Sequence, residues 1–407
     1  VAGVPDFFDV AGPHALLGRG EAAVLGGGGA SEKRLELHHA RAIEQERLIQ
    51  PTGDVVGDER PRRKSGVAFR VKELKILAAQ FAGGHRQTSN EAKGYPEVGG
   101  LPVILGVMVS LLVVGMAALV VQDGPNPHQL RADQFGKLDL SYGITEAATG
   151  KQVTATDVAK ALRGTSVLCL GESHDNRDQK VVFAEVIDAL VKDGRTVTVG
   201  FEMFTRPVQP ELDWLNANPS TDDVFVERSK WKTEWGFPFE VYKPVFDVTR
   251  ANRLPMVALN IPRDWVRAVS RGGLQNLNAD FRAQMPEIDT SNTFHREIFD
   301  AMMGGHPMGD ATQMQNIYTS MVVWDTAMAD SAKKWMDARP KFARQIFVVV
   351  AGSGHVQYGQ GINFQLNRLG VKNIKTLTSV DSNGPTWVSK GLGDWVLLTK
   401  PAPAPAK

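Results

Sequence analysis

Glu172, Ser173 and His174 stand in direct succession at the end of a short apolar run, in the stretch SVLCLGESHDN from Ser166 to Asn176. Val167 to Leu170 have the length and character of a buried strand, Gly171 ends it, and Asp175 and Asn176 offer caps for a helix to follow. The stretch is a strand tip that delivers a carboxylate and an imidazole together. Three later apolar runs end in the same manner. TVTVGFEMF (Thr196 to Phe204) ends on Glu202, PMVALN (Pro255 to Asn260) on Asn260, and IFVVVAGSGH (Ile346 to His355) on a glycine-flanked His355. Carboxylates and imidazoles gathered in this way could hold a divalent ion or activate water. They could equally do no more than hydrogen-bond the strand ends and fix the loops.

The elements that must position these groups follow from the same pattern. Each apolar run is followed by a helix-like segment, the alternation of an α/β domain with a mostly parallel sheet flanked by helices. The carboxyl ends of parallel strands form one edge, where ligands usually sit. Glu172, His174, Glu202, Asn260 and His355 are therefore expected on one rim, with successive strands side by side. Thr156 to Arg163 reads as a short helix leading into the first strand. Asp178 to Lys192 carries apolar residues at helical spacing, with Gly194 as a stop. With the strands on either side it should form a β-α-β unit of right-handed crossover. Strands are also expected over Lys372 to Ser379 and Trp395 to Thr399, with a helix over Ile362 to Leu369.

Two regions between the strands carry unusual side chains. From Val208 to Arg253 the pattern is helical and aromatic, with Trp214, Trp231, Trp235, Phe237, Phe239 and Tyr242. These rings form either core or the wall around a flat ligand. From about 265 to 344 no strand is evident, which predicts a helical insertion. Methionine is concentrated there, at Met302, Met303, Met308, Met314, Met321, Met328 and Met336. Its adaptable side chain suits a large apolar ligand or a partner helix as well as ordinary core.

A chain of 407 residues with 43% hydrophobic residues can bury a sizeable core, and a formal charge of +1 gives no reason to expect a nucleic-acid partner. The single cysteine, Cys169, lies inside the first strand, so no intramolecular disulfide forms. Residues 1–100 are rich in Gly, Pro and charge without sustained periodicity and are expected to be mostly disordered, apart from one amphipathic helix over Ser31 to Ile49. Leu101 to Val121 has no charge and is long enough to cross a bilayer as one helix, which predicts a transmembrane segment or signal anchor. Its position a hundred residues in leads to the expectation that translation starts further downstream than Val1. The domain proper is expected over 138–400, and the remaining residues, 401–407, are a Pro/Ala tail.

GESHDN, the FEMF strand with Gln209 after it, the W-x-x-x-W pair of Trp231 and Trp235, VVWDTAMA (Val322 to Ala329) and GSGHVQYGQGI (Gly352 to Ile362) together resemble the ChaN-like haem-binding family. That family lies within the Tiki, TraB and erythromycin esterase superfamily, and the resemblance covers about Leu138 to Leu398. It implies a bacterial, exported, membrane-attached protein of haem or iron uptake. Haem would bind between the main domain and its helical portion, with a homodimer and partner transporter components expected. Relatives are commonly lipoproteins. Here no cysteine stands just beyond the apolar segment, so attachment would be through Leu101 to Val121, with the domain facing the periplasm.

Two mechanisms compete on these residues. A haem-binding protein needs an axial donor, apolar walls and partners for the propionates. Tyr242, His306 and His295 are the candidate ligands and Arg263 the candidate anchor. His306 is favoured because Gly304 and Gly305 would let a flat ring approach. The alternative is a metal-dependent hydrolase, as parts of the superfamily suggest, in which His174, Glu202 and His355 hold a divalent ion or activate water and Glu172 is the general base.

Overall fold

The structure is a computed structural model and describes residues 124–304, 309–340 and 344–403. The expected helix at 31–49, the apolar segment Leu101 to Val121, the ligand candidate His306 and the end of the tail lie outside these residues. No helix of the described residues is long and apolar enough to cross a membrane.

Six parallel strands make the body of the sheet: β4 (Val167–Glu172), β5 (Thr196–Thr205), β6 (Met256–Asn260), β7 (Gln345–Gly352), β8 (Ile374–Asp381) and β10 (Trp395–Thr399). Their spatial order is β10-β8-β4-β7-β5-β6. β4, β6 and β10 are buried along their whole length, the continuous apolar pattern of strands covered on both faces. Two short strands that the apolar pattern does not announce, β2 (Gly143–Glu146) and β3 (Gln152–Val153), add antiparallel beyond β10 and make the sheet mixed. β1 (Lys137–Leu140) and β9 (Thr386–Ser389) pair antiparallel in a separate ribbon.

The strand order corrects the expectation that successive strands are neighbours. β7, from late in the chain, lies between β4 and β5, pairing Cys169 with Val349 and Val199 with Val348. Its run of Ile, Phe and Val is buried on both faces, and only an interior place in the sheet provides that. β7 also stops at Gly352, short of the expected His355, which sits instead on a 3-10 turn, Ser353–His355.

Helices cover both faces. They are α1 (Ala132–Phe135), α2 (Ala155–Ala161), α3 (Arg177–Lys192), α4 (Gln209–Ala217), α5 (Asp222–Arg228), α6 (Trp231–Glu234), α7 (Phe239–Ala251), α8 (Arg263–Gly272), α9 (Ala279–Gln284), α10 (Thr293–Met302), α11 (Ala311–Asp337) and α12 (Ile362–Arg368). One face packs Leu168, Leu170, Val199 and Val348 against α2, α3 and the aromatic residues of α5 to α7. The other packs Val167, Cys169, Val257 and Val349 against Met328, Ala329 and Ala332 of α11 and against α12. The alternation of odd and even positions along β4 is the period-two pleat at work. Asn176 caps α3 through the amides of Asp178 and Gln179, as its type predicts. The described part of the insertion carries α8 to α11, joined by turns and loops and without a strand.

Candidate functional site

The strand tips do converge. Glu172, the last residue of β4, is fully buried with both oxygens engaged. Oε1 lies 2.6 Å from His174 Nδ1 and accepts a hydrogen bond of 2.9 Å from the Tyr242 hydroxyl. Oε2 pairs with Lys180, whose side chain is as buried as the carboxylate itself. Burial alone would raise the Glu172 pKa, but Lys180 and His174 outweigh it and hold the carboxyl at about 2. Lys180 reaches the site because it lies on the buried stripe of α3, in register with Phe183, Ile187 and Leu190.

Glu172 fixes His174 in turn. With an ionised carboxylate accepting, Nδ1 is assigned the proton, which leaves Nε2, on the Gly352 side of the ring, as the open nitrogen. Burial lowers the His174 pKa, whereas Glu172 raises it, and the net direction is upward. The imidazole is 28% exposed and is held between Trp235, edge-on at 4.9 Å between centroids, and Phe237 at 5.2 Å.

A second acid–imidazole group stands beside the first. Glu202 Oε2 accepts 2.6 Å from the amide of Gly352, and its Oε1 lies 3.4 Å from His355 Nε2. His355 Nδ1 lies 2.6 Å from Asp325 Oδ1, on α11. His295 Nε2, on α10, is 3.3 Å from the other Asp325 oxygen, without the alignment of a hydrogen bond. Burial would lower the pKa of His355, yet the two carboxylates raise it to about 10. The same imidazolium helps to keep Glu202 below its ordinary value against the effect of burial.

Gly352 is where the two groups meet. A Cβ there would fall 2.8 Å from His174 Cε1 and 3.6 Å from Glu202 Oε2, so only a glycine leaves both side chains where they are. Because β7 separates β4 from β5, its tip must be bare for the His174 ring to lie over it. Asn260 clamps the backbone, donating 2.9 Å to the Glu202 carbonyl and accepting from the amide of Ile261. Gln209 satisfies the open edge of β6 through the Met256 carbonyl and the Ala258 amide.

The residues expected to meet haem are placed differently. Tyr242 is fully buried on α7, its hydroxyl given to Glu172. His295 is buried against Asp325 and Tyr318. Arg263 is half-buried, donates 2.8 Å to the Glu234 carbonyl, and lies over the Trp235 ring. Met302 and Met321 of the insertion close over the turn after β7, where a Cβ on Gly354 would meet them at 2.8 and 3.9 Å. Among the described residues no group of three or more His, Cys, Asp or Glu side chains could hold a metal ion. His355 has both nitrogens turned to carboxylates, so as placed these residues do not fit a divalent-ion centre. A haem fits the chemistry of the site better, because the Nε2 of His174 makes no hydrogen bond among the described residues and is flanked by aromatic rings.

Lys180, Asp325 and Gly352 were not singled out in the sequence. A lysine on the apolar stripe of α3 and an aspartate amid the apolar residues of VVWDTAMA were the signals available. Nothing in the sequence marks Gly352 apart from Gly354.

An α/β sheet covered by helices, with paired acids and imidazoles at its strand tips, defines the class. The chain belongs to the family described as haem-binding uptake, Tiki superfamily, ChaN, whose family model matches residues 158–366, from α2 to α12. It is similar to ChaN of Campylobacter jejuni, solved with cofacially bound haem, at 18% identity over 63% of this chain and 96% of that one, with a TM-score of 0.48. It is also similar to RRSP, a MARTX toxin effector domain of Vibrio vulnificus, at 20% identity over 60% of this chain and 38% of that one, with a TM-score of 0.33. A third likeness is to a mutant of the erythromycin esterase EreC, at 12% identity over 60% of this chain and 77% of that one, with a TM-score of 0.35. No curated protein matches the sequence.

Proposed function

We propose that this protein binds haem in haem or iron uptake, as a membrane-anchored protein with its domain outside the cytoplasm. Membership of the haem-binding uptake family supports the ligand. The structural observation that carries the reading is His174, a partly exposed imidazole set between Trp235 and Phe237, with its Nδ1 fixed by Glu172. Haem supplies an iron that takes a nitrogen donor, and the carboxylate behind His174 orients the ring and raises its basicity. Arg263, over the Trp235 ring, is the cation proposed for a propionate. Anchoring rests on the apolar segment Leu101 to Val121, and a homodimer and transporter components are the partners proposed.

Titration of the full chain with haemin tests the ligand. A saturable Soret shift is expected in the wild type, with affinity reduced about tenfold or more in His174→Ala, in line with the loss of an axial donor. Absence of a shift in the wild type overturns haem binding, and an unchanged titration in the variant overturns the role of His174. Fractionation of cells, with protease added from outside, tests the location. A soluble, protected domain would overturn it.

A second reading has an observation of its own. The His174 ring and the Glu202 carboxylate flank Gly352 at one rim, an arrangement able to move a proton from a water to His174 Nε2 in a hydrolysis. Glu172 then orients His174 instead of acting as the base, because its oxygens are occupied. Turnover of an ester or amide substrate that disappears in both His174→Ala and Glu202→Gln would support this reading. Activity surviving in both would remove it.

A further inference from the structure

A cavity of about 770 Å³ lies away from the rim, at the amino-terminal edge of the sheet. The length of β4 puts it roughly 20 Å from Glu172. Its volume falls within the roughly 300–1,000 Å³ of small-molecule sites. Trp335 and Met336 from the end of α11, Phe347 of β7, and Leu369 and Val371 after α12 give it an apolar floor.

The wall is cationic. Arg163, Arg195, Lys333, Arg339, Arg344 and Lys372 line it, against Asp337 as the lining carboxylate. Asp193 stands behind, 3.7 Å from Arg163 and 2.9 Å from Arg344. Six cations less these two acids leave a local formal charge of +4, in a chain whose net charge is +1. The charge is concentrated here.

These cations divide by role. Arg195 donates to the carbonyls of Leu162, Thr165, Arg344 and Gln345 and so ties together the starts of three strands. Lys333 pairs with Asp337, Arg344 with Asp193, and Arg339 stacks on one face of the Trp335 ring. Arg163 and Lys372 are exposed, and the Arg163 side chain is 72% accessible, its one ion pair among the described residues being the distant contact to Asp193. A pair of exposed cations beside an apolar floor is suited to a ligand with one charged end and one oily end.

We infer that this cavity binds a small amphipathic anion, an aliphatic chain with a phosphate or carboxylate head. The head meets Arg163 and Lys372, and the chain lies against Trp335, Phe347 and Leu369. The site stands independently of the haem reading, because it shares no residue with the rim.

Calorimetric titration of the full chain with dodecyl phosphate, below its micelle concentration, tests the assignment. One saturable site is expected, and Arg163→Glu with Lys372→Glu should weaken it about tenfold, two ionic contacts being reversed. Dodecanol and inorganic phosphate should each bind about tenfold more weakly than the combined ligand, since each lacks one half of it. The doubly substituted chain should keep the circular dichroism and the haemin titration of the wild type. Absence of saturable heat, equal binding of dodecanol, or an unchanged affinity in the variant would overturn the proposal. A parallel loss of haemin binding would overturn the separateness of the two sites.

Discussion

Lys180 and Glu172 form an ion pair with neither side chain exposed to solvent. Removing one partner of a buried pair costs about 3–5 kcal/mol, and here the loss of Lys180 would leave the buried Glu172 with His174 and Tyr242 alone. Lys180→Met is expected to lower the unfolding free energy by about that amount in urea titrations at neutral pH. Adding Glu172→Gln should restore part of the loss, because the stranded charge is then removed as well. Strictly additive losses in the double variant would show that the two residues are not coupled.

The same pair sets an acid limit on stability. The folded-state pKa of Glu172 is depressed from 4.5 to about 2, so its contribution is present in full above about 4.5 and is lost as pH falls toward 2. Glu172→Gln should flatten this part of the stability profile.

His355 sets a limit on the other side. Its folded-state pKa is raised from 6.5 to about 10, so its contribution is complete below 6.5 and is lost as pH climbs through 10. Unfolding measured from pH 6 to 10 should show a steady decline in the wild type, and a shallower one in His355→Gln.

Gly352→Ala places a methyl group against the His174 imidazole. The ring is the side that can yield, since it is partly exposed. Haemin affinity is expected to fall about tenfold as the ring loses its orientation, while the urea midpoint moves little. A large loss of stability with unchanged haem affinity would contradict this.

Phe246 touches the rings of Phe201, Phe204, Phe225, Trp231 and Phe239. Phe246→Ala opens a cavity at the centre of this cluster and should cost about 3–5 kcal/mol in the same urea assay. The aromatic region is therefore largely core. Trp235 and Phe237 also reach the rim, against His174, as does the Tyr242 hydroxyl, on Glu172.

The acid and imidazole residues of the rim were legible because each lies at or within a few residues of the downstream end of a mainly apolar run, although β5 continues past Glu202 to Thr205. Glu172, His174, Glu202 and His355 were found in that way. Lys180 and Asp325 were not, since a charge within a helix reads as solvated until the packing shows which stripe is buried. The place of β7 was hidden too. Periodicity reports that a strand is buried, without saying between which neighbours. Tyr242 read as a ligand because its type suits iron, whereas the fold directs its hydroxyl inward to Glu172. β2 and β3 are too short, and too mixed in character, to stand out from loops.

The strand order carries a consequence for how the protein is made. Among the described residues β4 pairs only with β7 and β8, both of which come after β5, β6 and the helical insertion. A ribosome that has delivered β4 must therefore hold that apolar strand without a mate until Gln345 and the residues after it have emerged. A nonsense codon ahead of Gln345 would leave no shortened but serviceable product, only a nascent chain that chaperones must shield or proteases clear.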